Sequence, residues 1–152
     1  MVLSLNDLRE IYPGHGRILG LDLGTKRIGL SLSDVMGQLA SPLTVITRTK
    51  LRADIAQIFE HHDTHTCVAW VVGLPLNMDG TEGPRCQATR QFVRDVLKLR
   101  DIPIVLMDER LSTAAVERTL LEADLSRNKR AKVVDQAAAA FILQGALDFL
   151  RH

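Results

Sequence analysis

Three carboxylates stand where the surrounding sequence argues against them. Asp22 interrupts the apolar run Ile18-Leu-Gly-Leu-Asp-Leu23. An ionised side chain inside a buried strand is costly unless something pairs with its charge. No basic residue lies within that run, so a bound cation or ligand is the expected compensation. The plainer alternative is an aspartate that caps the following turn by accepting from backbone amides. Glu109 closes the stretch Pro103-Ile-Val-Leu-Met-Asp-Glu109. Asp135 falls one turn before Ala139, on or beside the apolar face of a helix expected from about Val133 to Leu150. A few Asp and Glu oxygens suit Mg²⁺, and two such ions can activate a water and stabilise a leaving oxygen in phosphodiester cleavage. No Ser-His or Cys-His pair stands out as a rival nucleophile.

The elements that must position these acids follow from hydrophobic periodicity. Ile18 to Leu23 is a strand, Gly24-Thr-Lys-Arg27 a turn, and Ile28, Leu30 and Leu32 alternate with Gly29, Ser31 and Ser33 in a second strand. Gly37 to Pro42 reads as a turn and Leu43 to Thr47 as a third strand, giving an antiparallel meander. Leu51, Ile55, Ile58 and Phe59 then share a helical face. Cys67 to Val72 is apolar on both faces, which predicts a central strand parallel to the first. The loop Gly73 to Pro84 leaves the carboxyl end of that strand, where open α/β sheets bind ligands. Arg85 to Leu99 is a helix with Ala88, Phe92, Val93, Val96 and Leu97 inward, and Pro103 to Met107 is a fifth strand. Ser112 caps a helix expected over Thr113 to Ala123. Asp124 to Lys132 reads as a polar connector carrying Arg127, Lys129, Arg130 and Lys132, and Ala137-Ala-Ala-Ala140 lets the last helix approach the sheet closely.

The totals describe one ordinary globular domain. In 152 residues, 46% are hydrophobic and 24% charged, and the net charge is +1. A nucleic-acid partner must therefore be held by a local basic patch rather than a global field. Residues 1–16 are polar and end in Pro13-Gly-His-Gly16, so they are expected to form an N-terminal arm ahead of a domain spanning 17–152. Two cysteines, Cys67 and Cys86, make neither a disulfide framework nor a zinc motif, and reduced thiols fit a cytoplasmic location. No apolar run is long enough to span a bilayer, and no membrane association is expected. His61, His62 and His65 match no usual metal spacing and are read as the end of a helix. Arg90, Arg94 and Lys98, four apart, are read as a solvated face.

Four motifs in this order resemble the YqgF (RuvX) family, the pre-16S rRNA nucleases and Holliday junction resolvase-like proteins. They are Leu21-Asp-Leu-Gly-Thr-Lys-Arg-Ile-Gly29, Val72-Gly-Leu-Pro-Leu-Asn-Met-Asp-Gly80, Asp108-Glu-Arg-Leu-Ser-Thr113 and Lys132-Val-Val-Asp-Gln-Ala-Ala138, and the likeness runs from about Arg17 to Leu150. The resemblance implies a ribonuclease H-like α/β fold: a mixed five-stranded sheet in the order β-β-β-α-β-α-β-α-α, with helices on both faces. It implies a metal-dependent nuclease acting on structured nucleic acid, RNA before DNA, most directly at the 5′ end of pre-16S rRNA in ribosome biogenesis. Mapped by motif, Asp22, Glu109 and Asp135 become the catalytic acids and the ligands of two Mg²⁺ or Mn²⁺ ions. Lys26, Arg27, Asn77 and Arg110 become phosphate or substrate contacts, and the basic residues Lys129, Arg130 and Lys132 join them on charge. Related Holliday resolvases take their glutamate from the end of the fourth strand, whereas here that strand ends in Gly73-Leu-Pro75. Glu109 must therefore lean inward by one strand spacing, ~4.8 Å.

Two other readings compete. Asp-Leu-Gly-Thr after an apolar strand also resembles the first phosphate turn of actin-like ATPases and sugar kinases, which need two such domains, whereas 152 residues supply one. A binding module on the same fold would hold RNA without cutting it, because fold does not fix function. Monomer and homodimer both remain open, since a junction resolvase needs two active sites and an RNA trimmer does not.

Overall fold

The alternation in the first long strand sorts its side chains onto two cores. Leu19, Leu21 and Leu23 belong to one buried cluster, while Ile18 belongs to the other. This is the pattern of a strand covered on both faces. The computed structural model describes residues 1–109 and 127–151, the side chains of 127–134 excepted. Its elements run β1 (Val2–Leu3), α1 (Leu5–Ile11), β2 (Arg17–Leu23), β3 (Arg27–Ser33), β4 (Ala40–Thr47), α2 (Leu51–Thr64), β5 (Cys67–Leu74), α3 (Pro84–Leu99), β6 (Ile104–Asp108) and α4 (Arg127–Arg151).

The sheet has the order β1-β6-β5-β2-β3-β4. β2, β3 and β4 form the expected antiparallel meander, and β5 lies parallel to β2 with Leu21 opposite Val72. β6 continues in parallel, with Gly73 opposite Met107. Six strands replace the expected five because the N-terminal arm is not loose. Val2 and Leu3 pair with Ile104 and Val105 along the edge of β6. Ser4 and Asp7 then close a reciprocal capping box that starts α1 and buries Leu8. β4 begins at Ala40, earlier than expected, and carries Pro42 at a register shift on the sheet's edge, where a missing N–H does no harm.

One core joins Leu19, Leu21, Ile28 and Leu30 to Ile55, Ile58, Trp70, Phe92, Val93 and Val96 from β5, α2 and α3. The other packs Ile18, Ala69, Val71, Val105 and Met107 beneath Leu8 of α1 and Ile142, Leu143, Ala146 and Leu147 of α4. Thr89 rather than Ala88 takes the inward position on α3, and Ala88 is exposed. The close approach expected of the alanine run occurs: Ser31 donates its hydroxyl to the Ala139 carbonyl at 2.7 Å. A Cβ on Gly20 would lie 2.9 Å from Leu143 Cβ and 3.0 Å from the Ala139 carbonyl. α4 starts at Arg127, so residues 127–132, expected as a connector, are helical. No proline or glycine interrupts Arg127 to Gln144, and the stretch is rich in good helix formers. The helix expected over Thr113 to Ala123, with its cap Ser112, lies outside the described residues.

Candidate active site

Asp22 is the penultimate residue of β2 and only 8% exposed. Gly20, two residues earlier, would aim its Cβ at α4, so Asp22 presents its carboxylate to the same face. Glycines flank it on both sides. Gly29 is its direct partner in β3. Gly73 lies beside it in β5, one step past the Leu21–Val72 pair. Each glycine clears room for another acid. A Cβ on Gly29 would overlap the backbone carbonyl of Asp135, which sets the start of α4's buried stretch directly over the hairpin. A Cβ on Gly73 would overlap Glu109 Oε1, and would lie 3.0 Å from Glu109 Cγ and 2.7 Å from Ile142 Cδ1. Glu109 therefore lies over the strand between its own and that of Asp22.

Asp135 is engaged. Arg27 Nε donates to its Oδ2 at 2.7 Å, with the arginine side chain 34% and the aspartate side chain 21% exposed. Among the described residues, no three His, Cys, Asp or Glu side chains stand close enough together to enclose one ion. The three acids thus share one face and one end of the sheet without closing into a single ligand set.

The expected substrate contacts are spread around this end. Lys26 is exposed in the β2–β3 turn, whose carbonyl accepts from the Arg48 amide at 2.9 Å. Asn77 sits in the loop after β5 and is turned inward on that loop: its Nδ2 donates to Thr81 Oγ1 at 3.0 Å and its amide to the Thr81 carbonyl at 2.9 Å. Asp79 Oδ1 accepts from Thr81 at 2.6 Å, and Gly80 takes a positive φ of 88° to close the turn. Glu82 anchors the far side of the loop to Arg90 through two bonds of 2.6 and 3.0 Å, and that guanidinium holds the Glu82 carboxyl below its usual range. Arg110 lies outside the described residues, as do the side chains of Lys129, Arg130 and Lys132.

Two cations that sequence reading passed over stand at the same turn. Arg48 donates to the Gly24 carbonyl at 2.8 Å, and Arg85 to the Leu23 carbonyl at 3.0 Å. Arg85 had a signal of sorts, as the first residue after a proline that opens a helix, but nothing local ties Arg48 to the turn. The histidine cluster is structural where it is buried: Trp70 Nε1 donates to His62 Nδ1 at 2.8 Å. On the Arg90-Arg94-Lys98 ridge the cations meet Glu82, Gln91 and Asp95, the pattern of a solvated face.

A family model described as "RuvX: Holliday junction resolvase" matches residues 16–149. A protein of Rhizobium meliloti (strain 1021) named "Putative pre-16S rRNA nuclease" is 53% identical over 149 residues, covering 98% of this chain and 90% of the relative. One of the same name from Paracoccus denitrificans (strain Pd 1222) is 55% identical over 148 residues, covering 97% and 94%. Among solved structures, the yeast mitochondrial Holliday junction resolvase superposes with a TM-score of 0.55 at 15% identity, covering 97% of this chain and 84% of that one. T. thermophilus RuvC in complex with Holliday junction substrate gives 0.53 at 14% identity, covering 84% and 92%. At such identities these two share the ribonuclease H-like fold and nothing finer.

Proposed function

This chain belongs to the RuvX family and is a nuclease of ribonuclease H-like fold, and from that premise we propose that it hydrolyses phosphodiester bonds of structured RNA in the cytoplasm. The substrate we favour is the 5′ end of pre-16S rRNA, on the strength of relatives above 50% identity that bear that name over nearly the whole chain. No helix among the described residues is long and apolar enough to cross a membrane.

The observation that supports catalysis at this end of the sheet is the pair of glycines around Asp22. Gly73 leaves the space that Glu109 fills, and Gly29 leaves the space for the backbone of Asp135. The donors are carboxylate oxygens, and Asp22 is largely shielded from water. Hard, anionic oxygens of this kind suit Mg²⁺ or Mn²⁺. Asp22, Glu109 and Asp135 would hold the cations, and the N–H groups that Arg27 does not spend on Asp135 would meet a phosphate. When bound, a pair of such ions supplies a nucleophilic hydroxide and neutralises charge on the leaving oxygen. The remaining work falls to the chain's own groups. Arg27 orients Asp135. Lys26 meets the phosphate backbone at the exposed turn, and Arg110, Lys129, Arg130 and Lys132 add positive charge from the segment that leads to Asp135. Asn77 braces the loop that borders the site.

The experiment is cleavage of a labelled panel, comprising an rRNA precursor, a four-way DNA junction and single strands, with Mg²⁺ or Mn²⁺ and Asp22→Asn as control. Cutting of the precursor that is lost in Asp22→Asn is the expected result. Preference for the junction would replace the RNA assignment with a resolvase-like one. Binding of RNA with no cutting under any condition would leave a binding module.

A further inference from the structure

On the face of the sheet opposite the acids, one residue beyond Asp22, the β2–β3 turn roofs a small cavity. Thr25, Arg48, Arg85 and Thr89 line it together with the apolar Leu23, Ala88 and Phe92, and its volume is about 80 Å³, several times the roughly 10–15 Å³ that one water requires. Two guanidinium groups enter from different elements, Arg48 from the end of β4 and Arg85 from the first turn of α3. We infer that this cavity is a phosphate subsite, which seats a phosphodiester of the nucleic-acid strand that crosses the turn from the acid-bearing face. The inference rests on the nuclease reading and adds to it a place where the strand is held away from the acids.

The donor count carries the argument. A guanidinium presents five N–H donors in a planar fork and suits phosphate recognition. Arg48 commits one bond to the Gly24 carbonyl, and its Nε stands 4.0 Å from the buried Asp54 carboxylate, which offsets part of its charge. Arg85 commits one bond to the Leu23 carbonyl and, among the described residues, pairs with no carboxylate. Among the described residues its charge is thus not offset by an acid, in a cavity that also holds the exposed Thr25. Two carbonyl bonds fix the forks against the turn without exhausting them, which is the preorganisation a phosphate site requires. The electrostatics of α3 agree. Its cap, Gly83, offers no side-chain bond, its first turn contains no acid, and the carboxylate just before the cap, Glu82, is turned to Arg90, so the positive end of the helix adds to the charge of Arg85. Placed this way, the subsite lets a chain of net charge +1 bind a polyanion beside an acidic centre.

The test is binding rather than cutting. Fluorescence anisotropy of a labelled structured RNA in EDTA, over a salt series, compares wild type with Arg85→Gln and Arg85→Lys. Loss of one phosphate contact lowers the log–log salt slope by about one, and affinity falls roughly tenfold at moderate salt. Arg85→Lys recovers most of the slope because it restores the charge. Arg85 is exposed, so each variant keeps its circular dichroism spectrum. An Arg85→Gln slope equal to that of wild type overturns the subsite, and it does so even if wild type cleaves RNA, which leaves the nuclease reading intact. A wild type that binds with the expected slope change but never cleaves sinks the nuclease reading and supports the subsite. Absence of all nucleic-acid binding at low salt overturns both.

Discussion

Arg27 and Asp135 are 108 residues apart and share a 2.7 Å bond from Nε to Oδ2 that ties the first hairpin to the start of α4's buried stretch. One end of this bond is a proposed substrate contact and the other a proposed catalytic acid. The pair is partly solvated, so its contribution to stability is modest, about 1 kcal/mol. Its larger effect is to fix which way Asp135 points. Arg27→Gln is expected to lower the melting temperature by only a few degrees while reducing cleavage at least tenfold, as removal of an orienting partner commonly does. Equal cleavage by Arg27→Gln and wild type would show that Asp135 needs no such orientation.

Asp22 and Glu109 carry a sharper prediction. Asp22→Asn and Glu109→Gln keep the size of the side chain and remove the charge that would hold a divalent cation. Each should lose metal-dependent cleavage by a hundredfold or more while the far-UV spectrum stays that of wild type. Isothermal titration with Mn²⁺ provides the second readout. The heat of binding seen with wild type should be absent from Asp22→Asn, and an undiminished isotherm would remove Asp22 from the ligand set.

The two glycines beside Asp22 separate geometry from stability. In Gly73→Ala the new Cβ collides with the movable ends of Glu109 and Ile142. Glu109 is pushed off its position over β5, and the expected result is a large loss of activity with destabilisation of about 1–2 kcal/mol. In Gly29→Ala the collision is with the backbone of Asp135, which cannot rotate away. That variant should lose about 3 kcal/mol or more, by urea denaturation, because α4 must lift from the sheet. Similar stability losses in the two variants would contradict this distinction.

These glycines also mark where the sequence stopped being legible. Five of the six described strands and three of the four described helices were readable because their faces obey hydrophobic periods, and Asp22 stood out because it broke one. Glu109 was readable as an acid at a strand end that must lean inward, but the space that receives it was not, since Gly73 reads locally as the start of a loop. The register that sets Gly73 beside Asp22 is a long-range pairing of β2 with β5. The clamp of Arg48 and Arg85 on the first turn was hidden for the same reason, as it joins elements 24 and 62 residues apart from their carbonyl partners. The N-terminal arm was the reverse case. Ser4 and Asp7 display a local capping box, and the polar composition around them masked it.

The last prediction concerns the core away from the acids. Trp70 donates its indole N–H to His62 Nδ1 at 2.8 Å, and both residues are buried between α2 and β5. An accepting Nδ1 requires the neutral ring. Burial lowers the His62 pKa from its ordinary 6.5, Arg100 lowers it further, and Asp63 opposes the shift. Below pH 6.5 the unfolded chain therefore binds a proton that the native chain resists, so stability rises with pH in that window. The contribution is complete above about pH 6.5 and is lost as pH falls toward the lowered native value, with a slope of at most about 1.4 kcal/mol per pH unit. His62→Gln removes the titration while keeping an acceptor of similar reach. Its urea midpoints between pH 5 and 7 should form a flatter line than those of wild type, even though its stability at pH 7 is lower by about 1 kcal/mol. Parallel pH profiles for the two proteins would place the acid sensitivity elsewhere in the fold.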